Sequence, residues 1–189
     1  MKYPQEIIDW LLLAEANSFY ANNGFQQIET PFAIPSYYHS FTKPHDNQTF
    51  VLNNGLFSNN SHELVGSAEQ GFIYLLLNDL LPGNKLQSIT PCFRFDDYDK
   101  LHQPWFMKLE LFQLSDNSED LFNVISIATN FFERHSSSKV NLINTDNNMY
   151  DLEINNIEVG SYGFRTVNEY TFIYATGLAL PRFTIVNKL

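Results

Sequence analysis

Apolar residues recur at helical spacing near the start of the chain, where Ile7, Ile8, Leu11, Leu12 and Phe19 share one stripe with Glu15. The spacing predicts a helix over Pro4–Asn22, with proline in its first turn and Gly24 as its stop. Phe25–Thr30 then reads as a strand entering Pro31. From Ser36 to Ser61 the pattern dissolves into Asn, His, Ser and Gly, which predicts a loop with a small hairpin that includes Thr49–Leu52. A second helix is predicted from Ser67 to about Leu81. Ser67 suits the N-cap, Glu69 in the first turn suits the helix dipole, and Pro82-Gly83 ends it. Leu86–Phe95 opens a hairpin that returns by Leu114. A polar turn at Asp116–Asp120 then precedes a helix from about Glu119 to Arg134. Asp151–Arg165 reads as a second hairpin turning at Asn155-Asn156, and Pro181 suits the first turn of a last helix. The mixture predicts one α/β (α+β) domain over residues 1–189, with no internal repeat and no interdomain linker.

Composition narrows the partners. With 44% hydrophobic and 15% aromatic residues the chain has the material for a core and is unlike a disordered segment. The lone Cys92 excludes an intramolecular disulfide framework and fits a reducing compartment, so a cytoplasmic protein is expected. No secretory leader is visible, and no apolar run approaches the length of a bilayer span. Net charge is −10, and the arginines are confined to Arg94, Arg134, Arg165 and Arg182. Without a basic cluster to neutralise phosphates, independent nucleic-acid binding is disfavoured.

The densest chemistry lies in Pro91–Leu114, PCFRFDDYDKLHQPWFMKLELFQL. Arg94 and Asp96 close its first strand, and His102, Phe106 and Glu110 follow at intervals of four. Each is ordinary alone in a hairpin, but together they supply a cation for phosphate, a ring for a base and acceptors for an amino group. This grammar resembles motif 2 of the class II aminoacyl-tRNA synthetases, Phe-Arg-x-acid, a loop, then Arg/His-x-x-x-Phe-x-x-x-acid. The helix, Gly24-Phe25, strand and Pro31 resemble motif 1, which in that family forms part of a dimer interface. Ser67-Ala68-Glu69 is similar to the family's segment that helps hold the amino-acid ammonium, with helix capping as the other role open to Glu69.

A second constellation runs YDLEINNIEVGSYGFR from Tyr150 to Arg165. The Asn155-Asn156 turn can bring Asp151 and Glu158 together, and paired carboxylates are usual hard-oxygen ligands for Mg²⁺. As plain hairpin residues they would only be solvated. Glu158, Ser161, Gly163 and Arg165 resemble the aspartyl/asparaginyl branch and the tRNA-free, ammonia-dependent asparagine synthetase. There Arg165 would meet a substrate carboxylate or amide; its other role is a structural pair with Glu158 or Glu169. Ala175-Thr176-Gly177-Leu178-Ala179-Leu180-Pro181-Arg182 resembles motif 3 with one glycine kept and two replaced by alanine, followed by a short helix.

The resemblance implies a class II catalytic core, an antiparallel sheet flanked by helices, without an anticodon-binding domain and forming a homodimer. It implies ATP and Mg²⁺ as cofactors and adenylation of an aspartate- or asparagine-like amino acid. Arg94, Asp96, His102, Phe106, Glu110 and Arg182 would serve the nucleotide, with Arg94 and Arg182 catalytic. Glu69, Ser161 and Arg165 would serve the amino acid, and Asp151 and Glu158 the metal. Acidity directs the activated group to a small amine or a carrier rather than tRNA. The rival implications are a non-catalytic binding or regulatory paralogue and a truncated tRNA synthetase.

Overall fold

The computed structural model describes residues 8–42, 49–52, 61–95 and 98–189. The first part of the chain forms α1 (Trp10–Asn22), β1 (Gln26–Gln27), β2 (Ala33–Pro35), α2 (Ser36–His39), β3 (Phe50–Leu52) and β4 (His62–Leu64). There follow α3 (Ala68–Leu77), β5 (Lys85–Phe93), β6 (Trp105–Leu114) and α4 (Ser118–His135). The chain continues through β7 (Val140–Asp146), β8 (Met149–Ile154), β9 (Ile157–Val167), β10 (Tyr170–Leu180) and α5 (Arg182–Val186).

Seven strands form the main sheet in the order β1-β5-β6-β10-β9-β8-β7, antiparallel except where β1 runs parallel to β5. Alternation along β6 sorts its two faces. Leu109 and Leu111 join Leu13, Tyr20, Phe131, Phe132 and Phe183 in the core beneath α1, α4 and α5. Phe112 points the other way, stacked 5.0 Å from Phe72 of α3 and tilted 4.8 Å from Phe172. Phe106, Lys108, Glu110 and Phe112 therefore share the α3 face. Helix α3 packs over the Phe112 end of that face, and the polar stretch beyond its N-terminus becomes the candidate site. A small sheet ordered β2-β4-β3, with α2, lies beside α3.

Several boundaries differ from the sequence expectation, each for a local reason. Helix α1 begins at Trp10, because the Asp9 carboxylate accepts from the Leu12 N–H at 3.0 Å and closes the first turn there. Pro4 and Ile7 lie outside the described residues. The buried face of α1 is Leu13, Ala16 and Tyr20, while Leu11, expected on the core stripe, is 80% exposed. Small Ala16 permits close approach, and the buried Tyr20 hydroxyl donates to the Gly177 carbonyl at 2.8 Å, which sets the rotation of the helix. The expected Phe25–Thr30 strand shrinks to Gln26–Gln27. Thr30 has left the ladder, and its hydroxyl bonds Ser88 and Thr90 at 2.9 Å each. Helix α3 stops at Leu77 rather than Leu81, since Asp79 turns left-handed (φ 57°) and the Asn78 side chain donates to the Tyr74 carbonyl at 2.7 Å. Among the described residues no helix is long and apolar enough to cross a membrane.

Candidate active site

Two adjoining cavities open on the α3 face. The first, of about 250 Å³, lies between the β5–β6 hairpin and the β10–α5 junction. Arg94 follows β5; its Nε donates to the Gly66 carbonyl at 2.9 Å and its guanidinium lies 5.3 Å from the centre of the Phe106 ring. His102 is held in the connecting loop by Asp99. One oxygen of that carboxylate accepts from the backbone N–H groups of Leu101 and His102, both at 2.7 Å, and lies 2.9 Å from the His102 Nδ1. Those hydrogen bonds from His102 and Leu101 draw the Asp99 carboxyl down from its ordinary 3.8 to about 2. Across the cavity Arg182, the first residue of α5, lies 3.6 Å from the Glu158 carboxylate. A flat ring beside a guanidinium, with a histidine and a second guanidinium opposite, is a donor set that fits a nucleotide polyphosphate.

The second cavity, of about 270 Å³, lies at the N-terminus of α3. Glu69 and Arg165 form an ion pair there, with Arg165 5.1 Å from the centre of the Tyr174 ring. Burial raises the Glu69 carboxyl above its ordinary range even though Arg165 beside it pulls the other way. Glu110 accepts from the Ser67 hydroxyl, from the Glu69 N–H at 3.3 Å and from the Lys108 ammonium at 3.0 Å. Ser67 occupies the N-cap position expected of it, but its hydroxyl is given to Glu110, so the cap comes from a neighbouring strand. Gln70 is fixed at both ends, accepting from the Gly66 N–H at 2.8 Å and donating to the Thr42 hydroxyl at 2.9 Å.

The structure thus gathers Arg94, His102, Phe106, Glu158, Ser161 and Arg182 around the first cavity. Glu69, Glu110 and Arg165 line the second, which Ser161 also borders, so Glu110 sits away from Phe106 and His102. Asp96 lies outside the described residues. Asp151 lies opposite Ser161 in the β8–β9 ladder, and Glu153 lies opposite Glu158 across a bulge. The left-handed Asn155 and Asn156 (φ 53° and 60°) turn that hairpin. Partial burial raises the Asp151 carboxyl, a hydrogen bond from Ser161 opposes this, and Glu158 and Glu153 add to the rise. Glu158 lines the first cavity and Asp151 lines neither, its strand lying beside that of Glu158; two carboxylates are what Mg²⁺ takes from a protein when phosphates supply further oxygens. Among the described residues no group of three or more His, Cys, Asp or Glu gathers as a metal centre. Arg165 has a partner, but it is Glu69, 96 residues away, rather than Glu158 or Glu169. Gly177 stands at the β10 bulge, where an added Cβ would run into Leu109 and come within 2.9 Å of the Tyr20 ring. Sequence reasoning missed Lys108, although the alternation through Phe106, Glu110 and Phe112 places it on the site face.

No family model matches the chain. Lysine–tRNA ligase of Saccharolobus solfataricus is 28% identical over 117 residues, 62% of this chain and 22% of that enzyme's length. Among solved structures, pyrrolysyl-tRNA synthetase of Desulfitobacterium hafniense superposes with a TM-score of 0.75 at 15% identity over 94% of this chain and 68% of its own. Cytoplasmic serine-tRNA ligase of Naegleria fowleri, in complex with AMP, does so with a TM-score of 0.73 at 19% identity, covering 94% of this chain and 52% of its own. The fold is that of the class II aminoacyl-tRNA synthetase catalytic core. In this class II fold the central strands β6, β10 and β9 contribute residues to both cavities, and Arg94 joins them from just beyond the end of β5.

Proposed function

We propose that the protein activates an amino acid by adenylation. The observation that carries this reading is the pair of adjoining cavities, one fitted to a nucleotide and one to a small zwitterion, with Arg94, Lys108, Ser161 and Thr176 lining both. An oxygen of the amino-acid carboxylate bonds to the α-phosphorus of ATP, the bond from that phosphorus to the bridging oxygen breaks, and pyrophosphate leaves with the electron pair. Such chemistry needs alignment and charge neutralisation more than a general base. Arg94 steadies the α-phosphate, Phe106 stacks on the base and Asp96 accepts from its amino group. Arg182 and His102 hold the terminal phosphates. Asp151 and Glu158 would hold Mg²⁺, which when bound neutralises phosphate charge.

In the second cavity Glu69 and Ser161 receive the ammonium end and Arg165 the side chain. An asparagine-like amide suits it better than a second carboxylate, because the Arg165 charge is already compensated by Glu69. The acceptor of the activated group is a small amine or a carrier rather than tRNA, in keeping with the net charge of −10. The working form is a cytoplasmic homodimer. The alternative is a non-catalytic paralogue that binds ligand only, and the pairing of Arg182 with Glu158 favours it.

ATP–pyrophosphate exchange screened over all amino acids separates the two. Exchange dependent on asparagine or aspartate is expected, together with a rise in Tm on adding Mg-ATP that Arg94→Ala abolishes. A Tm rise without any exchange would leave the binding paralogue standing. Neither response would remove both.

A further inference from the structure

Lys108 belongs to both cavities, and nothing in the motif reading gives it a role. It stands on β6 between Phe106 and Glu110 on the site face, with its side chain 13% exposed. Its ammonium lies 3.0 Å from the Glu110 carboxylate and 3.4 Å from the Ser67 hydroxyl, which places two of its three donors. Of the four residues that line both cavities, Ser161 and Thr176 are neutral, and the cations are Arg94 and Lys108. Arg94 has its Nε committed to the Gly66 carbonyl and its guanidinium carbon 5.3 Å from the centre of the Phe106 ring. Lys108 is the cation whose reach is not turned toward the ring.

Lys108 compensates the buried Glu110 carboxylate, and that is its structural task. Glu110 already accepts from Ser67 and from the Glu69 N–H, and a neutral donor would satisfy its remaining oxygen. Paired with Glu110, the Lys108 ammonium keeps its charge at the boundary between the two ligand chambers, where it can also meet an arriving anion. Adenylation brings two anions to that boundary, the amino-acid carboxylate and the α-phosphoryl group, and they must approach against their mutual repulsion.

We propose that Lys108 is a catalytic residue whose ammonium bridges the attacking carboxylate and a non-bridging oxygen of the α-phosphate at the junction of the two cavities. This rests on the adenylation reading. In that arrangement Arg94 orients the phosphate from the nucleotide side, Lys108 neutralises the pair where the new bond forms, and Glu110 with Ser67 fixes the lysine. The interaction strengthens as charge gathers on the phosphoryl oxygens, so its effect falls on kcat more than on ATP binding.

The test is amino-acid-dependent ATP–pyrophosphate exchange by the full chain and its Lys108→Met, Lys108→Gln and Lys108→Arg variants. Rates are normalised to the fraction that shows an Mg-ATP-dependent rise in Tm. Lys108→Gln keeps a donor for Glu110 and so preserves the structural bond without the charge. Both uncharged variants should lose kcat by on the order of 10²–10³ with KM for ATP nearly unchanged, and Lys108→Arg should recover a substantial part. If Lys108→Met does not fold, Lys108→Gln carries the test. Wild-type-like exchange by Lys108→Gln would reduce Lys108 to a partner of Glu110 and overturn the proposal while leaving adenylation intact. Absence of exchange in the unmodified chain would overturn both.

Discussion

In the first cavity the charged groups stand partly in solvent: the Arg182 and Glu158 side chains are 24% and 45% exposed, and their nitrogen and oxygen are 3.6 Å apart. In the second, Glu69, Glu110, Lys108 and Arg165 form two ion pairs whose carboxylates are almost wholly buried. One chamber has loosely held charges that can re-pair with a ligand bringing charge of its own. The other has compensated its charges internally and suits a ligand of zero net charge, such as a zwitterion with a neutral side chain. The same sheet face produces both: the N-terminus of α3 borders only the second, and the β10–α5 junction borders only the first.

That contrast can be broken by substitution. Glu69→Ala strands a half-buried guanidinium, and urea unfolding should show a loss of about 3 kcal/mol, the scale for removing one partner of a buried pair. A loss below about 1 kcal/mol would mean that the Glu69–Arg165 pair is as screened by solvent as the Glu158–Arg182 pair. Arg182→Ala should alter stability by less than about 1 kcal/mol, because an ion pair with this much solvent access is screened. A drop of about 2 kcal/mol or more there would place Glu158 in a closed site like Glu69.

The smallest effect is in pH, and its sign differs between the chambers. Glu69 has a raised carboxyl, so between its ordinary 4.5 and its folded value the native state holds more protons than the unfolded one. Its contribution to stability therefore falls as pH rises through that window. Asp99, drawn down to about 2, does the reverse: its contribution is complete above 3.8 and is lost as pH falls toward 2. Stability–pH curves should lose the falling limb in Glu69→Gln and the rising limb in Asp99→Asn. Equal slopes in variant and parent would erase the distinction.

Local grammar is legible in the amino-acid sequence. The β5–β6 hairpin, the Asn155-Asn156 turn, α4 and the Pro181–Arg182 start of α5 each rest on neighbouring residues whose turn chemistry or alternation is self-sufficient. Partnerships across the sheet are not. The Arg165–Glu69 pair joins β9 to α3, and the Glu110 cap joins β6 to α3; no spacing within one segment can announce either. The face of α1 is read in part: Ile8, Leu12 and Phe19 pack on the core as expected, but Leu11 faces out and Leu13, Ala16 and Tyr20 are its buried centre, set by Tyr20 reaching Gly177 on a strand more than 150 residues later. Lys108 is readable from alternation alone, but a lysine inside an apolar strand stands out only through the cavities beside it.

Strand β10 is the last of the main sheet in chain order, yet it lies in the middle, between β6 and β9. As the chain leaves a ribosome, the β5–β6 hairpin can pair with itself long before its other neighbour exists. At roughly 5–20 residues per second, the free edge of β6 waits several seconds for β10. An unpaired strand edge invites another chain. The same interval leaves Leu109 and Leu111 without the residues of β10 that complete their core. Crowded synthesis is thus the moment at which this architecture most needs a chaperone, and slowing translation before β10 would lengthen that exposure.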